Sequence, residues 1–226
     1  MAEGVIDGLE TVQIDKEQGE TVGIPCRLGD GDLNSVDKQT AVGEAGQQVM
    51  EGQVLDLNGQ PVAHASVDVW HANEQGGYSH FFPGMKPYEL RRRIETDAKG
   101  QYRFRSFLPP GYAIPPNSPT SELFEALGRH GNRPAHIHFL VAAPGMRTLT
   151  TQVNIPGDTY IDDDFAFATR DGLIVGLEKN VAPAGYESLG ISAPFARSRF
   201  NFVMQKAANE DEALPLTRME RVTTPA

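Results

Sequence analysis

The most chemically suggestive stretch of the chain is RPAHIHFLV, Arg133 to Val141, in which His136 and His138 flank a single isoleucine. Residues two apart on a strand project to the same face. His136, His138 and Leu140 would therefore look one way, and Ala135, Ile137, Phe139 and Val141 the other, into a core. Two imidazoles on one face can share one cation, or they can be no more than the polar side of a sheet; the spacing alone leaves both open. Further donors would have to come from loops, because no run of carboxylates or thiols adjoins the pair. Asp162-Asp163-Asp164 supplies three carboxylates, but consecutive residues point in different directions and read as a solvated turn. Tyr78, in WHANEQGGYSHF, and Tyr112, in LPPGYAIPPNSP, stand in loops stiffened by Gly and Pro. A tyrosine there is either a packing residue or a phenolic oxygen donor.

The elements that must position these residues are β. VMEGQVLDLNGQPVAHASVDVW reads as two strands joined by Asn58-Gly59, a hairpin dipeptide. In its second strand Ala65, Val67 and Val69 alternate with Ser66, Asp68 and Trp70, the pattern of a half-buried strand, with Trp70 as an anchor at the sandwich edge. ETDAKGQYRFRSFLP predicts a turn at Asp97 to Gly100 and a strand with Tyr102 and Phe104 inward, Arg103 and Arg105 outward. LTTQVNI and RFNFVMQ add two strands, with Phe200, Phe202 and Met204 on one face. SPTSELFEALG predicts one helix, capped by Ser118, with Pro119 in its first turn, Leu123, Phe124 and Leu127 along one side, and Gly128 as its stop. Arg129 and His130 are expected to satisfy its last carbonyls. Together these patterns predict a mainly β fold, an antiparallel prealbumin-like β-sandwich with one short inserted helix and long loops around the site. Residues 1–45 are expected to be an extended, loosely packed lead-in, 46–206 the sandwich domain, and 207–226 a polar tail.

With 226 residues the chain can bury one substantial core. Its net charge of -10 argues against nucleic acid or an anionic membrane as partner. A single cysteine, Cys26, excludes a disulfide framework, a cysteine-built zinc site and an iron–sulfur cluster. No apolar run reaches membrane-span length, and MAEGVIDGLE lacks the charged and apolar regions of a signal peptide. The expectation is a cytoplasmic protein.

WHAN followed by GGYSHF, then ELRRRIETDAKGQYRFRS, PPGYAIPP, LGRHGNRPAHIHF, APGMRTLTTQVNIPGD and DDFAFATRDGL occur in that order between residues 48 and 205. In this the chain resembles the intradiol ring-cleaving dioxygenases, and among them the catechol-cleaving branch most. The resemblance implies a mononuclear non-haem Fe(III), one per chain, held by Tyr78, Tyr112, His136 and His138. That donor set suits the ion: phenolates are hard anionic donors that favour ferric iron, and neutral imidazoles complete the set. The implied reaction joins O2 to catechol and cleaves the bond between the two hydroxylated carbons, giving cis,cis-muconate. Tyr112 would leave the metal and take up a substrate proton, and Arg133 would stabilise developing negative charge. Gln152, Phe165 and Ala166 fall on positions that face substrate, and Pro115 is either a wall of the same pocket or a stiffener of its loop. The partners implied are a small aromatic diol and O2, with neither nucleic acid nor membrane.

The sequence also departs from that family. Its N-terminal helical segment is not recognisable here, so a homodimer of the family type is not expected. The pocket-lining stretch that follows that segment is replaced, in this reading, by TVGIPCRLGDG. After Tyr112, Ala113 and Ile114 stand where a small residue and then a cysteine are commoner. The same chemistry on chlorocatechol, methylcatechol or hydroxyquinol is the alternative within the class. A non-catalytic prealbumin-like structural or binding module with a dead site is the alternative outside it, though such a module needs neither the HIH pair nor the two tyrosines. His64 and His71 carry no assigned role, and His80 is close enough in sequence to Tyr78 to support it.

Overall fold

Alternating apolar residues build two sheets that close on one core. The computed structural model describes residues 12–13, 47–79 and 81–209. The expected lead-in over 1–45, apart from Val12 and Gln13, lies outside the described residues, as do His80 and the tail beyond Asn209. In chain order the strands are β1 (Val12–Gln13), β2 (Gln47–Asp56), β3 (Ser66–His71), β4 (Arg91–Glu95), β5 (Gln101–Phe107) and β6 (Tyr112–Ala113). The helix α1 (Pro119–Ala126) follows, then β7 (Asn132–Arg133), β8 (His136–Ala142), β9 (Leu149–Asn154), β10 (Leu177–Val181), β11 (Phe195–Arg199) and β12 (Phe202–Met204). One sheet runs β1-β5-β2-β11-β10, with β12 also on β2; the second runs β4-β3-β8-β9; β6 and β7 form a short ribbon.

The expectation of a mainly β sandwich with one helix holds. The site-bearing sheet is wholly antiparallel, whereas the larger one is mixed, since β11 and β12 run parallel to β2. Met50, Tyr102, Phe104 and Phe202 of the larger sheet meet Val67, Val69, Ile137, Phe139, Val141 and Val153 of the other in one fully buried cluster. Phe139 is at its middle, its ring centroid 4.9 Å from Phe202 and 6.2 Å from Phe104. Burial of side chains this size contributes roughly 1.5–3 kcal/mol each.

Several local expectations are corrected. Asn58-Gly59 does turn the chain, with Gly59 at φ 75° and its N–H on the Asp56 carbonyl at 3.0 Å. Yet β2 pairs with β5, β11 and β12 while β3 pairs with β4 and β8, so the chain crosses between sheets instead of closing a hairpin. The valines of β3 and Met50 and Val54 of β2 then face each other across the core, which buries more apolar surface than lying side by side. Asp68, expected to face solvent, is 3% exposed, and Arg93 Nε donates to it at 3.1 Å. Trp70 lies on an inner strand, not the sandwich edge, and its ring stacks on that of His138.

Helix α1 starts as expected. Ser118 Oγ accepts the Ser121 N–H at 3.1 Å, and Ser121 Oγ returns the favour to the Ser118 N–H at 2.8 Å, a reciprocal cap that satisfies two orphan donors. Its apolar side is not buried as a unit: Leu123 and Leu127 are 58% and 59% exposed, and Phe124 alone packs, edge-on to Phe165 at 5.0 Å. Nor does Arg129 reach the helix carbonyls with its side chain. Its guanidinium lies over the rings of Phe124 and Phe167 and donates to the Phe165 carbonyl. His130 pairs with Asp163 at 3.0 Å instead. Among the described residues, no helix is long and apolar enough to cross a membrane.

Candidate metal centre

Two loops and one strand converge outside the site-bearing sheet. After β3, Asn73 folds the chain back on itself: its Oδ1 accepts the N–H groups of Gln75 at 3.0 Å and Gly77 at 2.7 Å. This turn delivers Tyr78. Gly76 within it has φ 80°, and a Cβ there would lie 2.6 Å from Tyr112 Cβ, so only glycine lets the two tyrosine loops approach so closely. The second loop is pinned because Tyr112 pairs with Arg133 across the β6–β7 ribbon. Asp158 ties this ribbon to β8, accepting the Ala135 N–H at 2.9 Å while packing so close to Gly111 that a Cβ would lie 2.6 Å from its Oδ2.

On β8, Ile137, Phe139 and Val141 enter the core and His136 and His138 face outward, as the alternation predicts. The two Nε2 atoms lie 3.0 Å apart. At that separation both nitrogens could reach one ion placed between them. Tyr78 Oη is 3.4 Å from His136 Nε2. The Tyr78 and Tyr112 rings meet edge to face at 5.4 Å, and Tyr112 lies 5.4 Å from the His136 ring. The structure thus brings Tyr78, Tyr112, His136 and His138 together. Among the described residues no group of three or more His, Cys, Asp or Glu is placed to hold a metal.

The protonation of these groups suits a cation. His136 Nδ1 donates to the Pro134 carbonyl at 2.7 Å, which leaves the Nε2 lone pair turned inward. Burial, helped by the Arg133 charge, lowers the His136 pKa to about 4; burial, helped by His136, lowers that of His138 to about 3. Both rings are therefore neutral near pH 7, each with an electron pair on one ring nitrogen. Burial, and then the adjacent Tyr112, raises the pKa of Tyr78 well above the usual phenol range. A cation bound here would release phenolic protons.

Beside the donors sits a fixed positive charge. Arg133 is 8% exposed; its Nε and Nη2 donate to the two Asp164 carboxylate oxygens at 3.1 and 3.2 Å. Nη2 also donates to Gln152 Oε1 at 2.7 Å, and Nη1 to the His136 Nε2 lone pair at 3.0 Å. Gln152 is held in turn by Asn154 Oδ1 at 2.8 Å. Burial works against ionisation of Asp164, but the hydrogen bonds from Arg133 and from the Ala166 N–H outweigh it and lower its pKa. Phe165, Ala166 and Pro115 are placed differently. Phe165 is half-buried against Phe124, Ala166 is exposed with its N–H on Asp164, and Pro115 is exposed with its carbonyl accepting Ser118 Oγ. Phe165 also donates its N–H to the Asn132 carbonyl on β7, beside Arg133, at 3.3 Å.

Sequence reasoning missed Asp164, read as part of a solvated acidic turn, together with Asn73 and Asp158. Nothing local in the sequence sets Asp164 apart from Asp162 and Asp163; in the structure its carboxylate accepts the N–H groups of Ala166 and Ala168, as a turn-forming aspartate does. His64 pairs with Glu95 at the surface, and His71 is buried on the core face; neither touches the centre.

Comparison with known proteins adds an independent line. The sequence family described as Dioxygenase matches residues 28–206. Catechol 1,2-dioxygenase 2 of Acinetobacter lwoffii is 59% identical over 131 residues, which is 58% of this chain and 48% of that protein. Catechol 1,2-dioxygenase of Acinetobacter baylyi is 46% identical over 160 residues, 70% of this chain and 51% of its own length. Among solved structures, catechol 1,2-dioxygenase from Pseudomonas arvilla C-1 superposes with a TM-score of 0.71 at 48% identity, covering 77% of this chain and 57% of that one. The chain spans about half the length of the curated relatives it matches.

Proposed function

Since the chain belongs to the intradiol ring-cleaving dioxygenase family, we propose that it is the catalytic part of a catechol 1,2-dioxygenase, converting catechol and O2 to cis,cis-muconate at an Fe(III) centre. The observation that carries this reading is the convergence of two neutral imidazole nitrogens, 3.0 Å apart, with two phenols from separate loops. Tyr78, Tyr112, His136 and His138 would hold the iron. When bound, the ion supplies a Lewis-acidic ferric centre that activates the aromatic diol toward O2.

The chain's own residues do the rest. Tyr112 Oη, which as a ligand would be a phenolate, is the group placed to take a proton from a substrate hydroxyl, its ring 5.4 Å from those of Tyr78 and His136. Arg133 cannot swing away, because Asp164 and Gln152 hold its fork from two sides. Its positive charge therefore stands ready where negative charge builds on the opening ring, and a charge already in place needs no reorganisation during reaction. Overall the bond between the two hydroxylated carbons breaks and each carbon gains one oxygen atom from O2, so both become carboxyl groups.

Oxygen uptake with catechol, 4-methylcatechol, chlorocatechols and hydroxyquinol, with identification of each product, tests the proposal. Uptake highest with catechol and yielding cis,cis-muconate is expected. A semialdehyde product from cleavage beside the diol, or no uptake by iron-loaded protein, contradicts it. A higher rate with hydroxyquinol or a chlorocatechol would move the substrate assignment and leave the reaction class standing.

A further inference from the structure

The two imidazoles of the centre are held by different means. His136 is fixed by its Nδ1 hydrogen bond to the Pro134 carbonyl. Metal-binding histidines nearly always have such a partner for the second ring nitrogen, but among the described residues the only polar contact seen for His138 is from its Nε2. What meets His138 instead is Trp70, its cross-strand partner on β3. The two rings lie nearly parallel, with centroids 5.0 Å apart and planes 10° off. Behind the indole comes Arg91, the register partner of Trp70 on β4. Its guanidinium carbon is 4.7 Å from the ring centroid. Arg91 Nε is buried and makes no hydrogen bond. Arg91, Trp70, His138 and Gln152 thus form one row across all four strands of the sheet.

We propose that Trp70, backed by Arg91, is the positioning residue for His138, doing by stacking what the Pro134 carbonyl does for His136. Two electron-rich rings stacked face to face repel through their quadrupoles. A cation behind the indole draws density away from one ring, and a metal ion on Nε2 draws it from the other. The stack therefore tightens when the site is loaded, and binding of the metal is coupled to the stack. The inference rests on the metal reading of the centre. It also makes Trp70, the one tryptophan of the chain, a built-in reporter of occupancy.

The test is iron affinity of the full-length chain, measured by chelator competition with Fe(III) citrate and followed by Trp70 emission, alongside Trp70→Leu, Trp70→Phe and Arg91→Met. Wild-type protein should bind iron with quenched emission. Trp70→Leu should bind at least about tenfold more weakly, and Trp70→Phe, which keeps a stacking ring, should recover to within about threefold of wild type. Arg91→Met should weaken binding about threefold, in keeping with loss of one cation–π contact. Equal affinity of Trp70→Leu and wild type overturns the proposal, as does a Phe variant no better than Leu. If Trp70→Leu lacks a cooperative melt, Arg91→Met decides, and unchanged affinity and emission in it overturn the proposal. Wild-type protein that takes up no iron brings down the metal reading itself, and the role of the stack with it.

Discussion

Along β8 two sets of side chains share one backbone and little else. Ile137, Phe139 and Val141 are fully buried between the sheets and hold them together. His136 and His138, one residue out of phase, meet groups from loops far away in sequence: Tyr78, Tyr112 and, through Arg133, Asp164. The core face supplies rigidity to the donors opposite, since a metal site needs its ligands fixed before the ion arrives. The difference teaches that stability and chemistry can be mutated apart on a single strand.

The sharpest break of that comparison is His136→Ala. It should abolish iron binding and turnover while destabilising the iron-free protein less than Phe139→Ala does, as checked by metal analysis and calorimetry; retained iron would remove His136 from the ligand set. The reverse case is Phe139→Ala, which opens a cavity beside Phe202, Phe104 and Tyr102. It should cost about 3–5 kcal/mol in denaturant unfolding with iron stoichiometry unchanged in whatever remains folded.

A third test uses a histidine on the core face. His71 is 1% exposed, its Nδ1 on the Ala72 carbonyl at 2.7 Å and its Nε2 accepting from Ser106 at 2.6 Å. Burial lowers its pKa to about 4. The unfolded chain, near the ordinary value, then binds more protons than the folded one between pH 6.5 and pH 4. Its contribution is complete above pH 6.5 and is lost as the pH falls toward 4, a drop of roughly 3 kcal/mol. Unfolding free energies across this range should slope less in His71→Gln than in wild type. The smallest effect belongs to α1. Leu123→Ser, at a position 58% exposed, should change stability by less than about 0.5 kcal/mol and leave iron binding alone.

The parts of this arrangement legible in the sequence are those with local signatures. Alternation placed Ile137, Phe139 and Val141 inward, and Ser118 and Pro119 marked the start of α1. What escaped depends on the third dimension. The Asn58-Gly59 turn is present, but which strands pair beyond it depends on how β2 and β3 bury their valines and methionine across the core. Asp68 and Asp164 look like solvated carboxylates until Arg93 and Arg133 arrive from elsewhere in the chain. β10 and β11 are too polar in pattern to announce themselves, and Trp70 shows its place only when β8 lies beside β3. The four donors were read from family motifs; the histidine spacing alone left a polar sheet face equally open.

The central claim is that two phenols and two imidazoles form one ferric site, and the visible spectrum of the purified chain with its iron content tests it most directly. About one iron per chain, with a red-brown colour from tyrosinate-to-iron charge transfer that Tyr78→Phe removes, is the predicted result. Colourless protein that takes up no iron, or a colour that survives Tyr78→Phe unchanged, would contradict it.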